Sequence, residues 1–213
     1  HFAVHSGPEA LRHEFDAKVS LHDLYDTYLY AFKRCVKDAG VEAVMGAYNR
    51  VNGEPACGSK TLLQDILREQ FGFEGHVVSD CWAILDFHEH HHVTKTVEES
   101  AAMAVNHGCD LNCGTLFVYL LDAVRDGLVK EERLDEALVN LFTTRMKLGV
   151  FDKADDNPYN KIPYSVVDSP KMQELNLTAA KRCLTLLKND QMLPLDKEKI
   201  HTIGVIGPNA DNR

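Results

Sequence analysis

Apolar residues recur along several stretches of the chain at steps of three and four positions, which is the spacing of one face of a helix. This pattern predicts helices over residues 21–39, 59–71, 97–107, 115–127 and 131–149. Glycine closes or follows several of these stretches, as is common where a helix stops. Each predicted helix therefore has one apolar face available for a core.

Short apolar runs lie between these helices, namely VEAVMGAY at 41–48, HVVSD at 76–80 and CDLNC at 109–113. Each run is too short for a helix and has the composition of a strand buried on both faces. Strands that alternate with helices predict an α/β fold with a parallel sheet, either doubly wound or closed into a barrel. In both folds the functional residues lie at the carboxyl ends of the strands.

The pattern changes after residue 149. Residues 150–169 are rich in Asp, Asn and Pro and have no helical or strand period, which indicates a linker. A helix is predicted over about 170–188, and the apolar segment HTIGVIG at 201–207 predicts a strand. This last segment lacks the G-x-G-x-x-G pattern, so we expect no nucleotide site.

Composition narrows the possible partners. The 213 residues correspond to between one and two domains, and 45% hydrophobic with 26% charged residues is ordinary for a globular protein. No stretch approaches the roughly 20 apolar residues of a membrane helix, so no membrane partner is expected. The formal charge of −9 repels phosphate backbones, which argues against nucleic acid. Neutral small molecules stay possible.

Polar residues at strand ends are the candidates for chemistry. Asp80 closes one strand, Tyr48 and Asn49 close another, and Asp110 and Asn112 close a third. A single such Asp is more commonly a helix cap. Polar residues at several strand ends fit the active site of a barrel better.

Several motifs occur in the order they have in glycoside hydrolase family 3, which the chain resembles nearly end to end. That family includes β-glucosidases, β-xylosidases and N-acetylhexosaminidases. The motifs are HFAVHSGPEALR, VMGAYNRVNGEPACGS, LLQDILREQFGFEGHVVSD, LDEALVNLFTTRMKLGVFD and LLKNDQMLPLDKEKIHTIGVIGPNAD.

The resemblance implies a (β/α)8 barrel followed by an α/β sandwich domain. We therefore expect the C-terminal part of a TIM-like barrel at 1–150, a linker at 151–169 and the start of the sandwich at 170–213. On this view the first barrel strands precede His1, and the acid/base Glu of most members follows Arg213. An incomplete barrel leaves strand edges open, so we expect the isolated chain to be poorly stable and inactive.

The resemblance also implies a retaining mechanism in which Asp80 is the nucleophile. This carboxyl should be ionised, because nearby cations and hydrogen-bond donors lower a carboxyl pKa. His1 matches a substrate-binding His, Arg12 an Arg that binds sugar hydroxyls, and Tyr48 a Tyr that packs beside the nucleophile. Met45 is a further candidate for the pocket lining, although strand packing explains it equally simply.

A disulfide is predicted beside the nucleophile. Many β-glucosidases of the family have Trp directly after this Asp, whereas here Cys81 and then Trp82 follow, as in a β-xylosidase-like branch. Cys81 and Cys113 follow strands that should be neighbours, and adjacent strands about 4.8 Å apart suit a disulfide. We predict a Cys81–Cys113 bridge or contact, the alternative being two free thiols at the rim of the pocket.

Four histidines, at positions 88, 90, 91 and 92, follow the nucleophile strand. Consecutive histidines rarely converge on one ion, so we expect a solvated loop beside the aglycone rather than a metal site. No cofactor is implied.

The function implied is a retaining β-glycosidase that releases terminal β-linked sugars from oligosaccharides or glycosides. Xylose and glucose are the candidate sugars, and Cys81 slightly favours xylose. The alternative is a non-catalytic carbohydrate-binding relative. An aldolase would need a Schiff-base Lys at a strand end, and none occurs. The resemblance slightly favours a periplasmic or extracellular location.

Overall fold

The computed structural model describes residues 1–5 and 7–211. The chain divides into two compact units, His1–Asp152 and Lys153–Arg213. No helix within the described ranges combines the length and the apolar character that crossing a membrane requires.

The first unit alternates strands with helices, as the sequence pattern predicts. Its strands are β1 (Asp16–Ala17), β2 (Ala43–Met45), β3 (Arg50–Val51), β4 (Glu54–Pro55) and β5 (His76–Val78). Its α-helices are α1 (Leu21–Asp23), α2 (Tyr30–Lys37), α3 (Asp86–Glu89), α4 (Val97–Asn106), α5 (Leu120–Arg125) and α6 (Glu131–Lys147). Two further segments, Leu24–Tyr28 and Thr61–Gln70, are π-helical, and Glu9–Leu11, Ala56–Gly58 and Leu116–Tyr119 are short 3-10 turns.

An arc of parallel strand segments forms the centre of this unit. Strand β2 pairs in parallel with β5 in the register Met45↔Val78. On the outer side of β2, the N–H of Phe2 donates to the carbonyl of Met45 (2.8 Å), and beyond β5 a parallel bridge joins Val78 to Leu111. Four segments thus lie side by side in chain order, and the predicted parallel α/β arrangement is confirmed.

A small second sheet forms from β1 and the two strands that follow β2. Strand β1 pairs in parallel with β3, and β3 pairs with β4 in a hairpin. Asn52 and Gly53 form the hairpin turn with φ values of 51° and 97°, the left-handed conformation that an Asn-Gly turn adopts readily. The hairpin holds the segment between β2 and β3, which contains Tyr48 and Asn49, in place.

The core lies between the parallel arc and the helices that cover it. The apolar face of the π-helical segment contributes Leu63, Ile66 and Leu67, all fully buried. Helix α4 brings small residues, Ala101 and Ala104, which allow it to approach closely. The helical face predicted from apolar spacing is therefore the face that is buried.

Asp110 directly precedes Leu111 at the start of the fourth strand segment, and its carboxylate does not face the strand ends. The side chain is fully buried and accepts hydrogen bonds from Arg68 (2.7 Å), Arg133 (3.1 Å), Asn140 (3.1 Å) and the backbone N–H of Val77 (2.9 Å). A buried carboxylate needs such partners. The interpretation of Asp110 as one of the strand-end residues of the active site is wrong, because its charge is neutralised by the surrounding helices.

In the second unit, helix α7 (Pro170–Cys183) begins with proline at its first position, as is common at helix starts. It ends five residues before the predicted limit of 188. The strand predicted at 201–207 does not form, since no described segment pairs with it and a lone strand leaves its backbone groups unpaired. The assignment of 151–169 as a linker and of 170–213 to a sandwich domain stays a prediction.

Candidate active site

Asp80 lies directly beyond β5, where the parallel arc ends. Its side chain is 15% exposed, so a ligand can reach it. One carboxylate oxygen, Oδ2, is 2.5 Å from Nε2 of His1, and Oδ1 accepts the backbone N–H of Cys81 at 2.7 Å. The carboxylate is held from two sides, which fixes the direction in which it can react.

Tyr48 lies three residues beyond β2, beside the same carboxylate. Its phenol is partly buried. Burial, the negative charge of Asp80 and the hydrogen-bonding capacity of its carboxylate raise the pKa of Tyr48 above its ordinary value. The hydroxyl therefore keeps its proton and is available to donate to Asp80.

His1 is held in place by a second imidazole. Its ring centroid lies 3.9 Å from that of His5, and Nδ1 of His5 is 2.8 Å from Oδ1 of Asn49. Asn49 is fully buried and donates through Nδ2 to the carbonyls of Val4 (2.9 Å) and Arg50 (2.8 Å). The strand-end Asn49 thus organises the backbone around His1.

Arg12 and Met45 take different positions relative to Asp80. The Arg12 guanidinium lies 5.7 Å from the centroid of the Tyr48 ring and pairs with Glu9 at 2.8 Å. This places a cation beside Tyr48, at the edge of the site. Met45 lines a mainly apolar cleft with His1, Phe32 and other residues of α2 and β2.

The loop after β5, which carries Asp80, is linked covalently to the neighbouring strand segment at Leu111. Cys81 and Cys113 form a disulfide with a Cα–Cα distance of 4.4 Å. Ser79 Oγ accepts hydrogen bonds from the backbone N–H of Cys113 (3.0 Å) and from Nδ2 of Asn112 (3.2 Å). The loop after β5 is therefore fastened to the next strand segment.

Trp82 follows Cys81 in the motif that contains Asp80. In the structure it has a φ of 68°, which is uncommon for a bulky residue, and its side chain is 49% exposed. Its backbone N–H donates to the carbonyl of Cys113 at 2.8 Å, next to the disulfide. The strained backbone holds a large aromatic surface two residues from Asp80.

The expectation of a solvated loop at the four histidines is wrong, because His88 lies in α3 and His91 is buried. The four side chains point toward different neighbours. His88 bonds to Ser100 Oγ (2.9 Å), His90 lies 3.7 Å from Asp86, His92 bonds to the carbonyl of His88 (3.0 Å) and His91 is buried. Among the described residues no group of three or more His, Cys, Asp or Glu side chains has the geometry to hold a metal ion.

A second pair of imidazole and carboxylate adjoins Tyr48, and the sequence pattern gave no sign of it. Nδ1 of His13 is 2.8 Å from Oδ2 of Asp86, and the His13 ring centroid lies 4.5 Å from that of Tyr48. His13 and Asp86 are 73 positions apart and lie outside the apolar runs, so only the folded chain brings them together.

The arc of parallel strands, with polar side chains gathered at its carboxyl ends, defines part of a (β/α)-barrel of the kind found in enzymes. Residues 1–144 match the Glycosyl hydrolase family 3 N terminal domain, and the chain belongs to this family. The partial barrel predicted from the sequence is confirmed by solved structures of the same family.

Curated relatives of the chain include a probable exo-1,4-beta-xylosidase, bxlB, of Aspergillus clavatus, which is 47% identical over 99% of this chain and 28% of the relative. The xylan 1,4-beta-xylosidase of Xylanibacter ruminicola is 43% identical over 100% of this chain and 25% of the relative. The chain thus spans about a quarter of the length of these relatives.

Solved structures show the same fold. The GH3 exo-beta-xylosidase XlnD, in complex with a xylobiose aziridine activity-based probe, matches 88% of this chain and 25% of that protein, with a TM-score of 0.83 and 33% identity. A β-glucosidase from Listeria innocua matches 92% of this chain and 27% of that protein, with a TM-score of 0.81 and 28% identity.

Proposed function

We propose that this chain carries the nucleophile of a retaining β-glycosidase and that Asp80 is that nucleophile. The observation that carries the proposal is the fixed position of the Asp80 carboxylate at the end of β5. The imidazole of His1, the phenol of Tyr48 and one backbone N–H direct it, while its side chain stays accessible. Each carboxylate oxygen has two lone pairs, so one lone pair stays available for attack beside these contacts.

The reaction has two displacements. In the first, a bond forms between a carboxylate oxygen of Asp80 and the anomeric carbon while the glycosidic C–O bond breaks. A general acid gives its proton to the leaving oxygen. In the second, the same group removes a proton from water, which attacks the anomeric carbon and releases the sugar and the free carboxylate.

We assign no residue of this chain as the acid/base. The chain spans about a quarter of its curated relatives, so we propose that this group comes from another part of the full-length protein. Within the chain, His1 and Arg12 are proposed to bind sugar hydroxyls, because both lie beside Asp80 or Tyr48 and carry further hydrogen-bonding nitrogens. Met45 has a weaker case, since it lines an apolar cleft.

The proposed substrates are β-linked glycosides with a terminal xylose or glucose. Identity of 43–47% to proteins named β-xylosidases supports xylose over glucose. The disulfide beside Asp80 supports an oxidising compartment, either the periplasm or the outside of the cell.

Covalent trapping in the full-length protein tests the nucleophile. A 2-deoxy-2-fluoro-β-xyloside with a good leaving group forms the glycosyl-enzyme, and the fluorine slows its hydrolysis because the transition state carries positive charge. Peptide mass mapping should locate the label on Asp80. The label should be absent in Asp80→Asn and present in Asp135→Asn, which alters an exposed carboxylate of α6.

Two outcomes would contradict the proposal. A label on a different carboxylate would show that Asp80 is not the nucleophile. Binding of xylose or xylobiose without labelling and without turnover would instead show a non-catalytic carbohydrate-binding protein.

A further inference from the structure

Tyr48 lies between two pairs that each consist of an imidazole and a carboxylate. One pair is His1 and Asp80, with a His1–Tyr48 centroid distance of 6.0 Å. The other is His13 and Asp86, with a His13–Tyr48 centroid distance of 4.5 Å. The proposed reaction uses only the first pair, so the second needs its own explanation.

Asp86 is a buried carboxylate, which is energetically costly. Its side chain is 3% exposed, and burial raises its pKa while the nearby imidazoles of His13 and His90 oppose the rise. Oδ2 contacts His13 at 2.8 Å, whereas Oδ1 lies 3.7 Å from Nε2 of His90. A buried carboxylate is costly unless it has such partners, so the close contact to His13 is the stronger constraint.

The contact with Asp86 fixes the orientation of the His13 ring. A carboxylate accepts, so Nδ1 must carry the hydrogen, and the ring cannot turn over without leaving the carboxylate unpaired. The fixed ring packs against Tyr48 at an interplanar angle of 59°. The Arg12 guanidinium also contacts the Tyr48 ring, at 5.7 Å from its centroid.

We propose that His13, oriented by Asp86, is a positioning residue for Tyr48. It holds the phenol ring so that the hydroxyl stays directed at Asp80. His13 acts through Tyr48 and does not itself react. The inference rests on the proposed function, because it gives the pair a role in setting the nucleophile of that reaction.

A double-mutant cycle in the full-length enzyme tests this coupling. The variants are His13→Ala, Tyr48→Phe and the double variant, with kcat and KM measured on aryl β-xylosides. His13→Ala should lower kcat by about tenfold to a hundredfold with little change in KM, since small misplacements of reacting groups are that costly. In the Tyr48→Phe background, His13→Ala should lower kcat little further. A double variant whose loss in kcat equals the product of the two single losses would overturn the inference.

His90→Ala is the matched control, because it removes the other imidazole near Asp86, a ring whose centroid lies 5.9 Å from that of His13, and leaves the His13–Tyr48 contact in place. It should leave kcat unchanged. An equal loss in His90→Ala and His13→Ala would show that the charge of Asp86 matters and not the position of Tyr48. The variant His13→Asn, which keeps an N–H for Asp86 but no ring, should fold and still show most of the loss in kcat.

A titration of Tyr48 gives a readout that does not depend on activity. The difference between wild type and Tyr48→Phe in the ultraviolet spectrum reports the phenol. Its pKa should fall toward the ordinary tyrosine value in His13→Ala, because a displaced phenol is less buried and lies farther from the negative charge of Asp80. An unchanged pKa would overturn the inference. Failure of the proposed function would instead appear as missing covalent labelling of wild-type Asp80.

Discussion

The Nε2 atom of His1 lies 2.5 Å from the Oδ2 atom of Asp80, although 79 positions separate the two residues in the chain. His1 precedes Phe2, which pairs with one side of β2, and Asp80 follows β5, which pairs with the other side. The contact therefore crosses the end of β2, where Tyr48 lies. The position of the proposed nucleophile depends on three neighbouring segments at once.

Substitution of Tyr48 should slow the reaction without abolishing it. Tyr48→Phe removes one donor to a charged carboxylate, an interaction of about 1.5–3 kcal/mol, while His1 and the backbone N–H stay. We expect kcat/KM to fall by about 10- to 100-fold, measured on an aryl β-xyloside. Tyr25→Phe is the control, because it removes a phenol bonded to Gln70 at the surface. Equal rates in Tyr48→Phe and wild type would contradict this role.

The disulfide should stabilise the protein and hold the loop that carries Asp80. Cys81 and Cys113 are 32 positions apart, and a loop of that length corresponds to about 3–4 kcal/mol of unfolding free energy. The double variant Cys81→Ala/Cys113→Ala should lose that amount in a denaturant titration. Cys35→Ala, which alters an exposed free thiol, should change it little. Reductant should destabilise wild type and leave the double variant as it is; equal sensitivity would refute the prediction.

The buried carboxylate of Asp110 should be a stability determinant with no part in the reaction. Asp110→Ala leaves the guanidinium groups of Arg68 and Arg133 without their shared partner, which costs about 3–5 kcal/mol in buried pairs. The unfolding free energy should fall accordingly. Asp122→Ala, which breaks an exposed pair with Arg125, should cost no more than about 1 kcal/mol. Similar losses in the two variants would contradict the importance of burial.

His91 should make the stability of the protein depend on pH. Its side chain is 5% exposed, neither ring nitrogen has a hydrogen-bond partner in the described part of the chain, and burial lowers its pKa from 6.5 to about 4. Between pH 6.5 and 4 the unfolded chain therefore binds a proton at His91 that the folded chain does not bind. The unfolding free energy is undiminished by this group above pH 6.5 and falls as the pH drops toward 4, by roughly 3 kcal/mol at most.

The variant His91→Leu isolates this effect, because leucine cannot be protonated. Its unfolding free energy should decline less than that of wild type between pH 6.5 and 4, and it should be higher at the acidic end. His22→Leu, at an exposed position, should keep the wild-type slope. Parallel pH curves for wild type and His91→Leu would show that another group causes the acid sensitivity.

Much of the fold could be predicted from local pattern. Helix α6 forms over Glu131–Lys147 within the predicted 131–149, and the strands β2 and β5 lie inside the predicted apolar runs. Apolar spacing predicts such elements because the face of a helix or strand that can be buried depends only on residues a few positions apart. The segment 201–207 has the same apolar character and is not a strand, because a strand also needs a partner.

By itself the sequence determined the alternating elements, the family and the candidacy of Asp80, since these follow from local periodicity and short motifs. Only the tertiary structure decided that Asp110 faces helices and not the strand ends, and that His13 meets Asp86 beside Tyr48. Such contacts depend on strand order, register and the directions of side chains far apart in the chain. No local pattern records those quantities, because they are fixed when the strands pair and the helices pack over them.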